Sequence, residues 1–147
     1  YLQEMTPEPR QKMWEQYIAD SHPDKHLVVA KDHNAQIIGF SCGGPNRQPD
    51  SNYLCELYTI HLKRSHHRLG IGAKLLSTSA CLLKGRNYKS MMLWVFEENR
   101  ASNRFYEHLG GMVYASQFKD RGGRLIKELA RGWTDIDQLS RLHQPGE

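Results

Sequence analysis

The chain has 147 residues, 39% of them apolar, a size and composition that suit one domain with a single core. Its 20 Lys and Arg against 16 Asp and Glu leave a net +4 spread along the chain with no dense run, which favours an anionic ligand mildly and nucleic acid weakly; without an aromatic and basic stripe no nucleic-acid partner is expected. Cys42, Cys55 and Cys81 are an odd set without paired spacing, no apolar run approaches the roughly 18 residues of a membrane span, and the first residues lack a leader pattern, so a soluble, cytoplasmic protein without disulfides or a membrane partner is expected.

Taken in chain order, Thr6 can cap a helix with Pro7 at its first position. Met13, Trp14, Tyr17 and Ile18 follow at helical spacing, so a helix is expected over about 6–20. Apolar runs at 27–30 and 36–40, joined through Asp32-His33-Asn34, read as a hairpin, and 43–51 as a loop. A third strand covers 53–62. Residues 70–83 form a helix with Ile71, Leu75, Leu76 and Leu82 toward a core, closed by Gly85 and Asn87. A fourth strand covers 91–96, and a short helix runs from about 100 to 109 and stops at Gly110-Gly111. Strands at 112–118 and 125–133 meet at Asp120-Arg121-Gly122-Gly123, good hairpin chemistry. The polar residues 134–147 suggest a short turn and a loose tail. The whole reads as a single domain over 1–147.

The informative unit is strand 53–62, helix 70–83, strand 91–96. A parallel crossover through a helix places the loop before that helix at the strand's carboxyl end, where open α/β sheets bind ligands. That loop carries Lys63, Arg64 and Arg68 and ends in Gly70-Ile71-Gly72-Ala73. Glycines there permit a tight turn and close approach, and the helix's first amides suit a phosphate or pyrophosphate. A P-loop is excluded because Gly72 is followed by Ala73-Lys74-Leu75, and a dinucleotide fingerprint because Leu75 stands where a small residue is needed. By themselves, two glycines entering a helix equally describe close helix packing.

The loop does not stand alone. Glu56-Leu57-Tyr58-Thr59-Ile60-His61-Leu62, the turn Arg68-Leu69-Gly70-Ile71-Gly72, and Asn99 with Phe105-Tyr106-Glu107 before Leu109-Gly110 occur in the order and spacing of the GNAT N-acetyltransferases. The chain resembles that family from about residue 27 to 133. The resemblance implies an α/β fold: a mixed, mostly antiparallel twisted sheet flanked by helices, with a splayed parallel strand pair that takes the pantetheine arm of acetyl-CoA. It implies a coenzyme site from Ile60, His61 and Leu62, from His67, Arg68, Leu69, Gly70, Ile71, Gly72 and Ala73, and from Asn99. Chain-edge amides and carbonyls can bond such an arm as they bond an added strand.

The sequence departs from the family in three places. His67 stands where Gln or Arg is usual, and Gly110-Gly111-Met112 replaces Gly-Phe, with Met112 a candidate to fill the space. The family's usual first strand and helix have no room before Pro7.

Transfer to an amine requires removing a proton from an ammonium with a reference pKa of about 10.4 and protonating a thiolate. By resemblance, Glu56 is the catalytic base and Tyr106 the acid. Read from the residues alone, Glu56 is as well an exposed strand carboxylate, since alternation permits either face, and Tyr106 a core aromatic. Asn99 suits a helix cap whether or not it also touches coenzyme. Adjacent His66 and His67 lack partners at metal spacing, so no metal is expected. Glu97 and Glu98 read as a solvated loop, Trp94 and Trp133 as packing residues. The expected partners are acetyl-CoA and an amine acceptor, with a homodimer left open. An acyl-CoA-binding module without transferase activity is the alternative.

Overall fold

Asp32 organises the first hairpin: its Oδ1 accepts from the backbone N–H of Asn34 at 2.8 Å and of Gln36 at 3.0 Å, and Ala35 takes φ 64°. The flanking strands are β2 (His26–Lys31) and β3 (Ile37–Pro45). They belong to a computed structural model that describes residues 13–17, 24–48, 50–66 and 70–141.

Within that range follow β4 (Cys55–Leu62), a 3-10 turn (Arg64–His66), α1 (Ile71–Gly85), β5 (Met91–Phe96), α2 (Arg100–His108), β6 (Met112–Arg121), β7 (Arg124–Trp133) and α3 (Asp137–Arg141). With β1 (Met13–Tyr17) at one edge, a seven-stranded sheet runs β1-β2-β3-β4-β5-β7-β6, antiparallel throughout except for β4 beside β5. This is the mixed, mostly antiparallel α/β sheet expected from the sequence.

Three expectations need correction. The helix expected over 6–20 gives way, at Met13–Tyr17, to strand β1, while the rest of that span lies outside the described residues. β1 pairs with β2 from Met13↔Lys31 to Tyr17↔Leu27, and this pairing overrides a helical spacing that its aromatic residues also permit in a strand. The loop expected from Gly43 begins later, because β3 continues through Gly43 and Gly44 to Pro45. Glycine is needed there for close approach: a Cβ on Gly43 would lie 2.7 Å from the Glu56 carbonyl oxygen. Met112 does not fill the space after α2, being 62% exposed. The Trp133 ring does so instead, with Cζ2 2.5 Å from where a Cβ on Gly111 would sit and Nε1 donating to the Leu109 carbonyl at 2.9 Å.

One sheet face carries the core. Leu76, Ala80 and Leu83 of α1, Tyr106 of α2 and Leu139 of α3 pack with Leu57, Leu93, Val95 and Trp133. A second cluster seats Ile71 and Leu75 on Val28, Ala30 and Ile38. On the other face Tyr53, Met92 and Ala130 pack with Trp94, and Tyr53 stacks on Tyr114 at 4.4 Å. No helix among the described residues contributes to this third cluster.

A polar network pins α1 to the sheet. The fully buried His26 ring bonds through Nε2 to Ser79 Oγ at 2.9 Å, and Ser79 Oγ bonds Ser41 Oγ at 2.6 Å. Nδ1 is buried without a hydrogen-bond partner among the described residues. Burial, aided by the Arg86 charge, lowers the imidazole pKa from 6.5 to about 4. The folded value lies below the unfolded one, so the unfolded chain binds more protons between them and stability falls as pH drops from 6.5 to 4. The difference amounts to about 3 kcal/mol. Urea unfolding at pH 7 and pH 4 should therefore show the wild type losing about 3 kcal/mol more than His26→Gln. Equal losses in the two proteins would contradict a buried, neutral His26.

Candidate functional site

The site begins with one extra residue in β4. Opposite β3, Cys42 pairs with Thr59 while Gly43 pairs with Leu57, so Tyr58 is inserted as a bulge. Before it, Cys55 and Leu57 face the helices; after it, Ile60 and Leu62 do. On the β5 side β4 has a single register pair, Glu56↔Met92, and the strands then part. Between them opens a cavity of about 350 Å³, lined by 57–60 of β4, by 93–96 of β5, and by Asn99, Ser102, Tyr106, Arg121 and Glu128.

From the helix side α2 supplies Tyr106. Its ring is buried, tilted against Phe105 at 5.3 Å and edge-on to Trp133 at 6.2 Å. No described residue bonds its hydroxyl, and burial pushes the phenol up to about 12. Near neutral pH the group is thus a protonated donor facing a cavity. Asn99 lines the same cavity and caps α2, its Oδ1 accepting from the Ser102 N–H at 3.1 Å. Asn103 fastens the helix below by donating to the Phe96 carbonyl at 3.0 Å and accepting from Arg131 Nε at 2.9 Å.

At the carboxyl end of β4, Gly70 adopts φ 76° and opens α1 with no side-chain cap and no acidic residue in the first turn. The amides of Ile71, Gly72 and Ala73 stand at that positive helix end, and Lys63 and Arg64, which follow β4, are exposed. Gly72 has a packing reason as well: a Cβ there would meet Phe105 Cζ at 3.3 Å. His67, Arg68 and Leu69 lie outside the described residues. Ile60 and Leu62 pack toward α1, whereas His61 is exposed beside Phe40, their rings 5.8 Å apart.

On the opposite face Glu56 is 2% exposed and gripped by Arg47. Its Oε1 accepts from the Arg47 backbone N–H at 3.0 Å and from Nε at 3.2 Å, and its Oε2 pairs with NH2 at 2.8 Å. The same guanidinium lies 4.5 Å over the Tyr58 ring, whose hydroxyl donates to the Pro45 carbonyl. Glu56 does not line the cavity; Glu128 does. Glu128 escaped the sequence reading because a lone carboxylate on a strand reads as a solvent-facing residue. Its burial depends on residues far away in sequence, among them Gln117 and, behind it, Gln48, whose Nε2 donates to Gln117 Oε1 at 3.4 Å. Glu97 and Glu98 are exposed and pair with Lys127 at 3.6 Å and Arg124 at 3.2 Å, as solvated loop residues do.

Among the described residues no group of three or more His, Cys, Asp or Glu is arranged to hold a metal, and no helix is long and apolar enough to cross a membrane.

Comparison with known proteins agrees with this geometry. A sequence model of the acetyltransferase (GNAT) family matches residues 1–111. The N-acetyltransferase YuaI of Bacillus subtilis is 34% identical over 118 residues, 80% of this chain and 68% of its own length. The N-alpha-acetyltransferase daf-31 of Caenorhabditis elegans is 27% identical over 103 residues, 69% of this chain and 56% of its own. A putative streptothricin acetyltransferase from Bacillus anthracis, solved in complex with acetyl coenzyme A, shares the fold with a TM-score of 0.66 at 24% identity, over 76% of this chain and 63% of that one. The putative acetyltransferase yncA of Salmonella typhimurium, solved with its cofactor acetyl-CoA, gives a TM-score of 0.63 at 22% identity, over 77% of this chain and 65% of that one. The chain thus spans just over two thirds of the first relative and less than two thirds of the other three.

Removing the Arg47 side chain leaves the buried Glu56 carboxylate with one backbone donor. Arg47→Met should lower the unfolding free energy by about 1–3 kcal/mol, and the double variant Arg47→Met/Glu56→Gln should recover part of it. A double variant no more stable than the single one would show that the grip on Glu56 contributes nothing.

Proposed function

This chain belongs to the acetyltransferase (GNAT) family, and from that premise we propose that it transfers the acetyl group of acetyl-CoA to a primary amine by direct attack. The observation that carries the reading is the parting of β4 from β5 after Glu56↔Met92, with Tyr106 lining the resulting gap. The pantetheine arm would lie in that gap along the backbone of Ile60, His61 and Leu62. The pyrophosphate would meet the loop 67–70 and the first amides of α1 at Ile71, Gly72 and Ala73, with Asn99 beside the arm. Helix dipole and loop amides do not depend on the residue at 67, so His67 is compatible with this role.

In the reaction the amine, once deprotonated, attacks the thioester carbonyl carbon. The tetrahedral intermediate loses its remaining extra nitrogen proton to solvent and collapses with cleavage of the C–S bond, the sulfur takes a proton from the Tyr106 hydroxyl, and Tyr106 is reprotonated from solvent. Burial supports the acid role, since it keeps the phenol protonated until a thiolate appears. Glu56 is the proposed base, acting through water, because Arg47 occupies both of its oxygens. Holding thioester and amine together in one gap would supply much of the acceleration. Cells offer many amines, and the acceptor's identity rests on the groups lining the far side of the gap.

Free-thiol release on mixing the chain with acetyl-CoA and a panel of primary amines tests the reading. Tyr106→Phe should lower kcat on the order of a hundredfold with acetyl-CoA affinity unchanged, and Glu56→Gln should lower kcat most at low pH. Unchanged turnover in either variant overturns that residue's role. Tight acetyl-CoA binding with no thiol release from any amine would instead make the chain a binding module, the state in which Arg47 keeps Glu56 out of reach.

A further inference from the structure

Glu128 is a buried charge that acetyl transfer, as described so far, does not use. It is 7% exposed on β7, opposite Phe96 in one ladder and Gln117 in the other. Gln117 Nε2 donates to Oε1 at 2.9 Å. Among the described residues it is the only donor to the Glu128 carboxylate, and no Lys, Arg or His pairs with it. A carboxylate held this far from water with one neutral donor is costly unless a cation completes its shell. The carboxylate lines the cavity between β4 and β5, whose other walls on that face are Tyr58, Trp94 and Phe96.

Both nearby guanidinium groups are placed elsewhere. Arg47 pairs with Glu56. Arg121 is exposed and also lines the cavity, but its Cζ lies 5.3 Å over the Phe96 ring and it forms no ion pair with Glu128. Aromatic walls around one incompletely partnered anion are the chemistry that selects an ammonium on an apolar stem: the anion and the ring faces attract the charge, and the rings take the stem out of water.

We propose that Glu128 is the acceptor-binding carboxylate, receiving the primary ammonium of a cationic acceptor against Trp94. The inference rests on the acetyl-transfer reading only in naming that cation as the acceptor. Glu128 binds and orients the ammonium before its deprotonation, and the acceptor class is a primary amine without a carboxylate next to the nitrogen, since a second anion would crowd Glu128.

Isothermal titration of the full chain with 2-phenylethylamine, its neutral isostere 2-phenylethanol and the anion 3-phenylpropanoate tests this without requiring turnover. The wild type should bind the amine about tenfold or more tightly than the alcohol, and Glu128→Gln should bind the two alike with acetyl-CoA affinity unchanged. Should Glu128→Gln not fold, Glu128→Asp decides: a reduced preference sustains the proposal and an undiminished one overturns it. A wild type that does not distinguish amine from alcohol, or that prefers the carboxylate through Arg121, also overturns it. Thiol release identifies which reading has failed. An intact, Glu128-dependent ammonium preference without thiol release from acetyl-CoA in the presence of any amine contradicts acetyl transfer alone, and thiol release driven by 2-phenylethylamine without that preference contradicts the role of Glu128 alone.

Discussion

Beyond Glu56↔Met92, β4 and β5 share no further register pair, and the sheet is held together across the gap by its helices. Leu76, Ala80 and Leu83 of α1 and Tyr106 of α2 pack on both sides of it, against Leu57 of β4 and Leu93 and Val95 of β5. A gap in a sheet normally exposes backbone groups that must find partners, and the core packing keeps this one open. Its cause is local: Tyr58 adds one residue to β4, which bends the strand and re-aims every side chain after it. Ile60 and Leu62 are thereby turned toward α1, and His61 away.

The two faces of the gap differ in chemistry. Toward the helices it ends at a phenol raised to about 12 by burial, and a helix amino terminus without a side-chain cap lies after the carboxyl end of β4. Toward the other face it ends among aromatic rings and the buried Glu128 carboxylate, which among the described residues holds a single Gln117 hydrogen bond, while Glu56 lies outside the cavity, satisfied by Arg47. On the proposed reading, a coenzyme with a charged head suits the first face and a cationic acceptor the second.

Much of this was legible in the sequence, and the reasons differ by element. β5 has the expected bounds because Met91–Phe96 is a continuous apolar run between turn residues, whereas α1, expected over 70–83, starts at Ile71 and takes in Gly85 before it ends. The β6–β7 turn was readable because Gly122 and Gly123 both take positive φ, 67° and 86°, which few other residues tolerate. β1 was misread because its pattern suits two periodicities and a neighbouring strand edge decides between them. Gly43 and Gly44 looked like a loop because glycine marks close strand approach as readily as a turn. For the candidate site, the order of motifs pointed to Asn99 and Tyr106, both of which line the cavity. Neither Arg47's grip on Glu56 nor the burial of Glu128 could be read locally, since each depends on contacts between distant segments.

Amide hydrogen exchange with and without acetyl-CoA tests the central claim most directly, because it reports on the backbone of the gap and requires no acceptor. If the coenzyme lies between β4 and β5 with its pyrophosphate at α1, protection should rise at Ile60, His61 and Leu62 and at Gly70, Ile71, Gly72 and Ala73, while β2 and the β6–β7 turn stay unchanged. Protection confined to the β6–β7 ribbon, or absent from both β4 and the start of α1 at saturating acetyl-CoA, would contradict it.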